Sequence, residues 1–181
     1  MSPNRKNLRR WSLAWLAVFL CSAPAGAGES LEYTVKGTYL YKFVPFVEWP
    51  PSAFAATASP LTICVFGADP FGPDLTQAVR GQKDVRPLAV QDIQSLDAIS
   101  QCQILYAGKD APLADVLHAA DGKPILTVTE SRSPIHGIIN FVLEGRHVRF
   151  DIDAAAAARS RLTISSKLLG LAHRVIARGT P

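Results

Sequence analysis

Between Pro60 and Gly67 the chain carries Leu61-Thr-Ile-Cys-Val-Phe66, an uncharged and β-branched run closed on both sides by a breaker. A run this short and this apolar reads as a buried strand. Ile104 to Ala107, ending at Gly108, repeats the pattern; Pro124 to Thr129 repeats it again, and Leu88 to Val90 does so weakly. Helical spacing separates these runs. Leu75 to Val79 follows Asp74 as a candidate cap, and Pro112 to Ala120 puts Leu113, Val116 and Leu117 on one face before Asp121-Gly122 ends it.

Ahead of them, Leu31, Val35, Tyr39, Phe43, Phe46 and Val47 recur as an amphipathic helix that Pro45 is expected to kink or end. After Thr129 the pattern changes. Gly137 to Leu143 and His147 to Ile152 flank Glu144-Gly145-Arg146 as a tight hairpin. Asp153 is placed to cap Ala154 to Ala158, and Ser165 or Ser166 to open a last helix running through Ile176. In that helix Leu168, Leu169, Leu171, Ala172, Val175 and Ile176 would form a broad apolar face. Strands alternating with helices, then a hairpin and a terminal helix, predict an α/β single-domain sandwich. Its sheet should be mixed but mostly parallel, with five or six strands flanked by helices.

The first 27 residues are expected to leave the fold. Arg5, Lys6, Arg9 and Arg10 form a basic start, Trp11 to Leu20 a short apolar run, and Ala25-Gly26-Ala27 a small-residue cleavage site. The apolar run is about half of the roughly 20 residues a membrane-crossing helix needs, so a signal peptide cleaved near Ala27 is the expectation, with a domain over 28–181 and no membrane insertion afterwards. Phe19 and Leu20 ahead of Cys21 argue against a lipid anchor there. The whole chain has 19 basic and 15 acidic side chains; with four of the basic ones in the signal, 15 of each sign remain. A neutral exported protein has no surplus of cations to neutralise phosphates, so nucleic acid is excluded as a partner.

Beyond Ala27 two cysteines remain, Cys64 in one predicted strand and Cys102 just before another. In an oxidising compartment they form a disulfide if the strands are neighbours, and two buried thiols if they are not. The common phosphate-loop, dinucleotide, nucleophile-elbow and zinc-protease motifs are missing, so no catalytic residue, cofactor or metal is assigned. His136 and His147 flank the hairpin near Glu144, but without ligand-like spacing they read as surface groups. Ser165-Ser166-Lys167 reads as a helix start rather than a nucleophile, and Asp69 and Asp74 read as turn and cap residues.

Charge is uneven. Residues 28–153 hold 10 basic and 15 acidic groups; residues 154–181 hold five basic and no acidic ones. Arg174 and Arg178 suit a helix C-terminus. Arg159, Arg161, Lys167 and Arg174 are also the candidate contacts for an acidic partner or for self-association. Trp49, the sole tryptophan beyond Ala27, and Phe71 are the candidates for lining a small-ligand pocket, although Trp49 fits a core role better.

At Tyr33 to Pro50 the chain resembles the opening helix of the YfiR-like family of exported bacterial proteins. The resemblance continues in order through Leu61 to Gly72, Cys102 to Gly108, Ile139 to Gly145, Val148 to Asp153 and Leu162 to Leu169. It implies a non-enzymatic periplasmic regulator, a homodimer, that binds the periplasmic part of a membrane-bound diguanylate cyclase or of a sensor kinase and keeps cyclic-di-GMP low. The match of Cys64 and Cys102 to the family's cysteine-bearing strands implies their pairing. Two features depart from the family: Pro45 in the first helix, and the lack of a second cysteine pair in the C-terminal half. A periplasmic small-ligand receptor signalling to a membrane protein is the alternative reading.

Overall fold

A computed structural model describes residues 26–82 and 86–177. In chain order these form α1 (Gly26–Lys42), β1 (Val47–Glu48), β2 (Leu61–Phe66), α2 (Pro73–Arg80), β3 (Leu88–Ile93), β4 (Ile104–Ala107), α3 (Leu113–Ala120), β5 (Leu126–Thr129), β6 (Ile139–Glu144), β7 (His147–Asp153), α4 (Ala154–Arg159), β8 (Thr163–Ile164), α5 (Ser166–Leu171) and β9 (Arg174–Ile176). Seven strands make the main sheet in the order β3-β2-β4-β5-β6-β7-β9, and β1 pairs with β8 in a small two-stranded sheet. All neighbours in the main sheet are parallel except the β6–β7 hairpin. The α/β sandwich is therefore as expected, with a seventh strand.

Apolar side chains alternate between two cores. Leu40 of α1, Phe43 just after it, and Leu75 and Val79 of α2 pack against Ile63, Val65, Ile104, Tyr106, Val128, Phe141 and Phe150 on one face. Phe43 stacks edge-on against Phe150 at 5.2 Å, and Tyr39 does the same at 5.5 Å, which seats α1 on the hairpin. Val116 and Ala120 of α3 and Ile99 pack against Cys64, Cys102 and Leu105 on the other face. There Cys64 and Cys102 are joined as a disulfide, with 5.7 Å between their Cα atoms.

The connection from β5 to β6 has no helix, and buried hydroxyls do the work instead. Thr129 Oγ1 accepts from Gly137 N at 2.9 Å and Thr127 Oγ1 from Ile138 N at 2.9 Å. Asn140 accepts from Thr129 Oγ1 and Ser131 N and donates to Ser131 O. Gly137 sits so close that a Cβ there would lie 2.7 Å from Thr127 O, so only glycine fits without moving backbone.

Several expectations need correction. Gly72, not Asp74, occupies the cap position of α2, with Asp74 in its first turn. Asp69 does build the turn: its carboxylate accepts from Phe71 N at 2.8 Å. The weak strand expected at Leu88 to Val90 runs on to Ile93 as β3, carried past Val90 by Gln91 and Asp92 at an exposed edge. Pro45 ends the first helix and sits in a 3-10 turn over Val44–Phe46. Asp153 caps α4 by accepting from Ala156 N at 2.7 Å, and Ser165 caps α5 by accepting from Leu168 N at 3.3 Å.

The largest departure is the chain end. Helix α5 stops at Leu171, and Arg174 to Ile176 pair with Asp151 to Asp153 as a parallel strand. The broad apolar helix face does not form: Leu171 is 64% exposed. His173 N donates to Phe150 O at 2.8 Å, so hydrogen bonds to an open sheet edge win over continued helix. Arg174 consequently sits in a strand, not at a helix terminus. The expected signal segment through Ala25, with Cys21, and Arg178 lie outside the described residues.

Candidate functional site

Glu130 follows β5 directly and gathers donors from three parts of the chain at the carboxyl end of the sheet. Tyr33 Oη on α1 donates to its Oε1 at 3.1 Å, Tyr106 Oη on β4 at 2.8 Å and Lys109 N at 3.2 Å. The ammonium of Lys36, one helical turn beyond Glu32, donates to both Glu130 Oε2 and Glu32 Oε1. Lys36 is 2% exposed, and its ammonium lies 4.7 Å from the centre of the Tyr33 ring.

Burial by itself would push the Glu130 carboxyl up. Hydrogen bonds from Lys36 and Tyr106, the Lys36 charge and the Lys109 N–H outweigh it and hold the group below the usual carboxylate range. Burial first, and then the Glu130 charge, push the Tyr33 and Tyr106 phenols up, so both stay protonated and donate. Three of these donors converge on Oε1 and the Lys36 ammonium holds Oε2, so both oxygens of Glu130 are engaged in the fold. The cluster ties α1 to β4 and β5.

Beside this cluster opens a cleft of about 1190 Å³. Tyr33, Lys36 and Glu130 line one part of it, and Asn140, Asp151 and Arg174 another. Asp151 is buried in β7, and its Oδ2 accepts from Arg174 Nη2 at 2.5 Å. This cleft escaped the sequence reading, because its lining is drawn from α1, the segment after β5 and three strands.

The other candidate residues are dispersed. Arg159 lines a small cleft with Leu117 and Asp121, and Arg161 donates to Gly122 O at 3.4 Å, both near the end of α3. Lys167 is exposed on α5, whereas Arg174 lies in the large cleft. Phe71 packs edge-on against Tyr106 at 4.8 Å, beneath Tyr33. Trp49 Nε1 donates to Gln103 O at 3.2 Å, just ahead of β4, so the strand's length separates the two aromatics. His147 stands opposite Glu144 at the hairpin end, and His136 Nδ1 lies 3.0 Å from Gly137 O. Among the described residues no group of three or more His, Cys, Asp or Glu is placed to hold a metal ion.

A family model, described as YfiR/HmsC-like, matches residues 33–173. The chain belongs to the YfiR/HmsC-like family. The match spans α1 through α5 and so takes in the Glu130 cluster, the cystine and the capped segments around Asp153 and Ser165. No curated protein matches the chain. No helix among the described residues is long and apolar enough to cross a membrane.

Proposed function

We propose that this member of the YfiR/HmsC-like family is a periplasmic regulator that binds and inhibits the periplasmic part of an inner-membrane diguanylate cyclase or a related sensor kinase, lowering cyclic-di-GMP. The observation that carries the reading is the family match across 141 consecutive positions, 33–173. Export of the chain by cleavage near Ala27 and its action as a homodimer are part of the proposal. The regulator needs no reactive centre. By binding one state of the partner more tightly than the other it shifts the partner's equilibrium, and its own charged cluster at Glu130 serves to keep the binding body rigid. A cystine between neighbouring core elements suits an oxidising compartment.

Crosslinking in intact cells followed by purification from membranes tests the partner. The expected product joins this chain to a membrane protein that carries a cyclase or kinase domain. Recovery of the chain from the soluble periplasm alone, with no membrane protein attached, contradicts the reading. The small-ligand receptor remains the second reading on one observation, the cleft of about 1190 Å³. A saturable rise in melting temperature with a periplasmic metabolite, in the absence of any membrane protein, would favour it.

A further inference from the structure

Asp151 lies within β7, opposite Asn140 of β6 and beside Arg174 of β9. Its side chain is 5% exposed, while that of Arg174 is 67% exposed. Arg174 serves Oδ2, but Oδ1 is buried with no hydrogen-bond partner among the described residues. Asn140 does not fill the gap, since it is committed to Thr129 and Ser131. A buried acceptor left unmet is destabilising, and more so when charged, so an orphaned carboxylate oxygen in a cleft wall calls for an explanation.

The surroundings specify what would meet it. The acceptor is anionic, so a cationic donor forms the stronger hydrogen bond. Val142 and Ile176, two strands apart and also lining the cleft, give an apolar stem something to lie against. We propose that the cleft is a binding site for an alkylammonium or alkylguanidinium group, which donates to Asp151 Oδ1. The exposed Arg174 side chain swings aside to admit it. The cation comes either from a free amine or from a Lys or Arg side chain of a protein, and the site reads the chemistry that the two share. This inference stands apart from the identity of the regulated membrane protein.

The test is an amide-resolved NMR titration of the protein with n-butylammonium, using tetramethylammonium, a cation without an N–H donor, as the control. Saturable shifts at Asp151, Asn140 and Arg174 are expected for butylammonium, at least about tenfold weaker for tetramethylammonium and absent in Asp151→Asn. Arg174→Gln keeps the carboxylate and opens the path, so it should bind butylammonium more tightly; it also decides the matter if Asp151→Asn fails to fold. No saturable shift, an equal response to tetramethylammonium, or unchanged or weaker binding in Arg174→Gln overturns the proposal. A capped Gly-Lys-Gly peptide that binds about tenfold more tightly than butylammonium assigns the cation to a protein side chain, and equal or weaker binding assigns it to a free amine.

Discussion

Two buried carboxylates in this protein face the same cleft and are treated in opposite ways. Glu130 has four donors and a cation that is itself buried. Asp151 has one donor, from a cation that is mostly exposed, and an oxygen with none. The contrast separates a charge that holds the fold together from a charge that is available. The two differ in their cations: removing Lys36 takes away a buried charge, whereas removing Arg174 takes away one that solvent already screens.

The largest test of that contrast is Lys36→Ala. It leaves the buried Glu130 and the partly buried Glu32 without their cation, and a loss of about 3–5 kcal/mol is expected in urea unfolding. Adding Glu130→Gln to that variant should recover much of the loss, because no unpaired charge then remains at that position. Acid provides a second handle. Because folding lowers the Glu130 value, its contribution is complete above the ordinary carboxyl value of 4.5 and disappears as the pH falls through the lower folded value. The stability gap between the wild type and Lys36→Ala should therefore narrow as the pH is taken well below 4.5.

A smaller effect is expected from Tyr106→Phe, which deletes one donor to an ionised acceptor and keeps the ring against Phe71. About 1.5–3 kcal/mol should be lost in the same assay. The smallest belongs to the other carboxylate. Arg174→Gln should cost about 1 kcal/mol or less, because an exposed guanidinium contributes little in the presence of solvent. A cost equal to that of Lys36→Ala would show that Asp151 depends on its cation as much as Glu130 does and would end the comparison.

The elements that local chemistry decides could be read in the sequence. Leu61 to Phe66 and Ile104 to Ala107 are strands because short uncharged apolar runs that end at a glycine have few alternatives, and Asp153 and Ser165 cap because their neighbours begin helices. Arg174 to Ile176 could not be read this way. Leu168 to Ile176 continues a helical apolar spacing, and only the open edge of β7, set by distant pairing, turns its end into a strand. The Glu130 cluster was hidden for a related reason. Tyr33, Lys36, Tyr106 and Lys109 span much of the chain, and they meet only because parallel strands bring their carboxyl ends to one edge of the sheet beneath α1. Arg159, Arg161, Lys167 and Arg174 show the reverse: close in sequence and alike in charge, they do not form one surface, since Arg159 and Arg161 stay near the end of α3, Lys167 lies on α5 and Arg174 is carried into the large cleft by β9. The link between Cys64 and Cys102 is conditional in the sequence on neighbouring strands, and is otherwise implied by the family resemblance; the pairing of β2 with β4 meets that condition.

If the chain acts as proposed, by holding a membrane enzyme in its inactive state, cellular cyclic-di-GMP measures it directly. Deleting the gene should raise the nucleotide, and restoring the export-competent chain should lower it again. Levels that stay unchanged on deletion, under envelope stress as well as without it, would contradict the account.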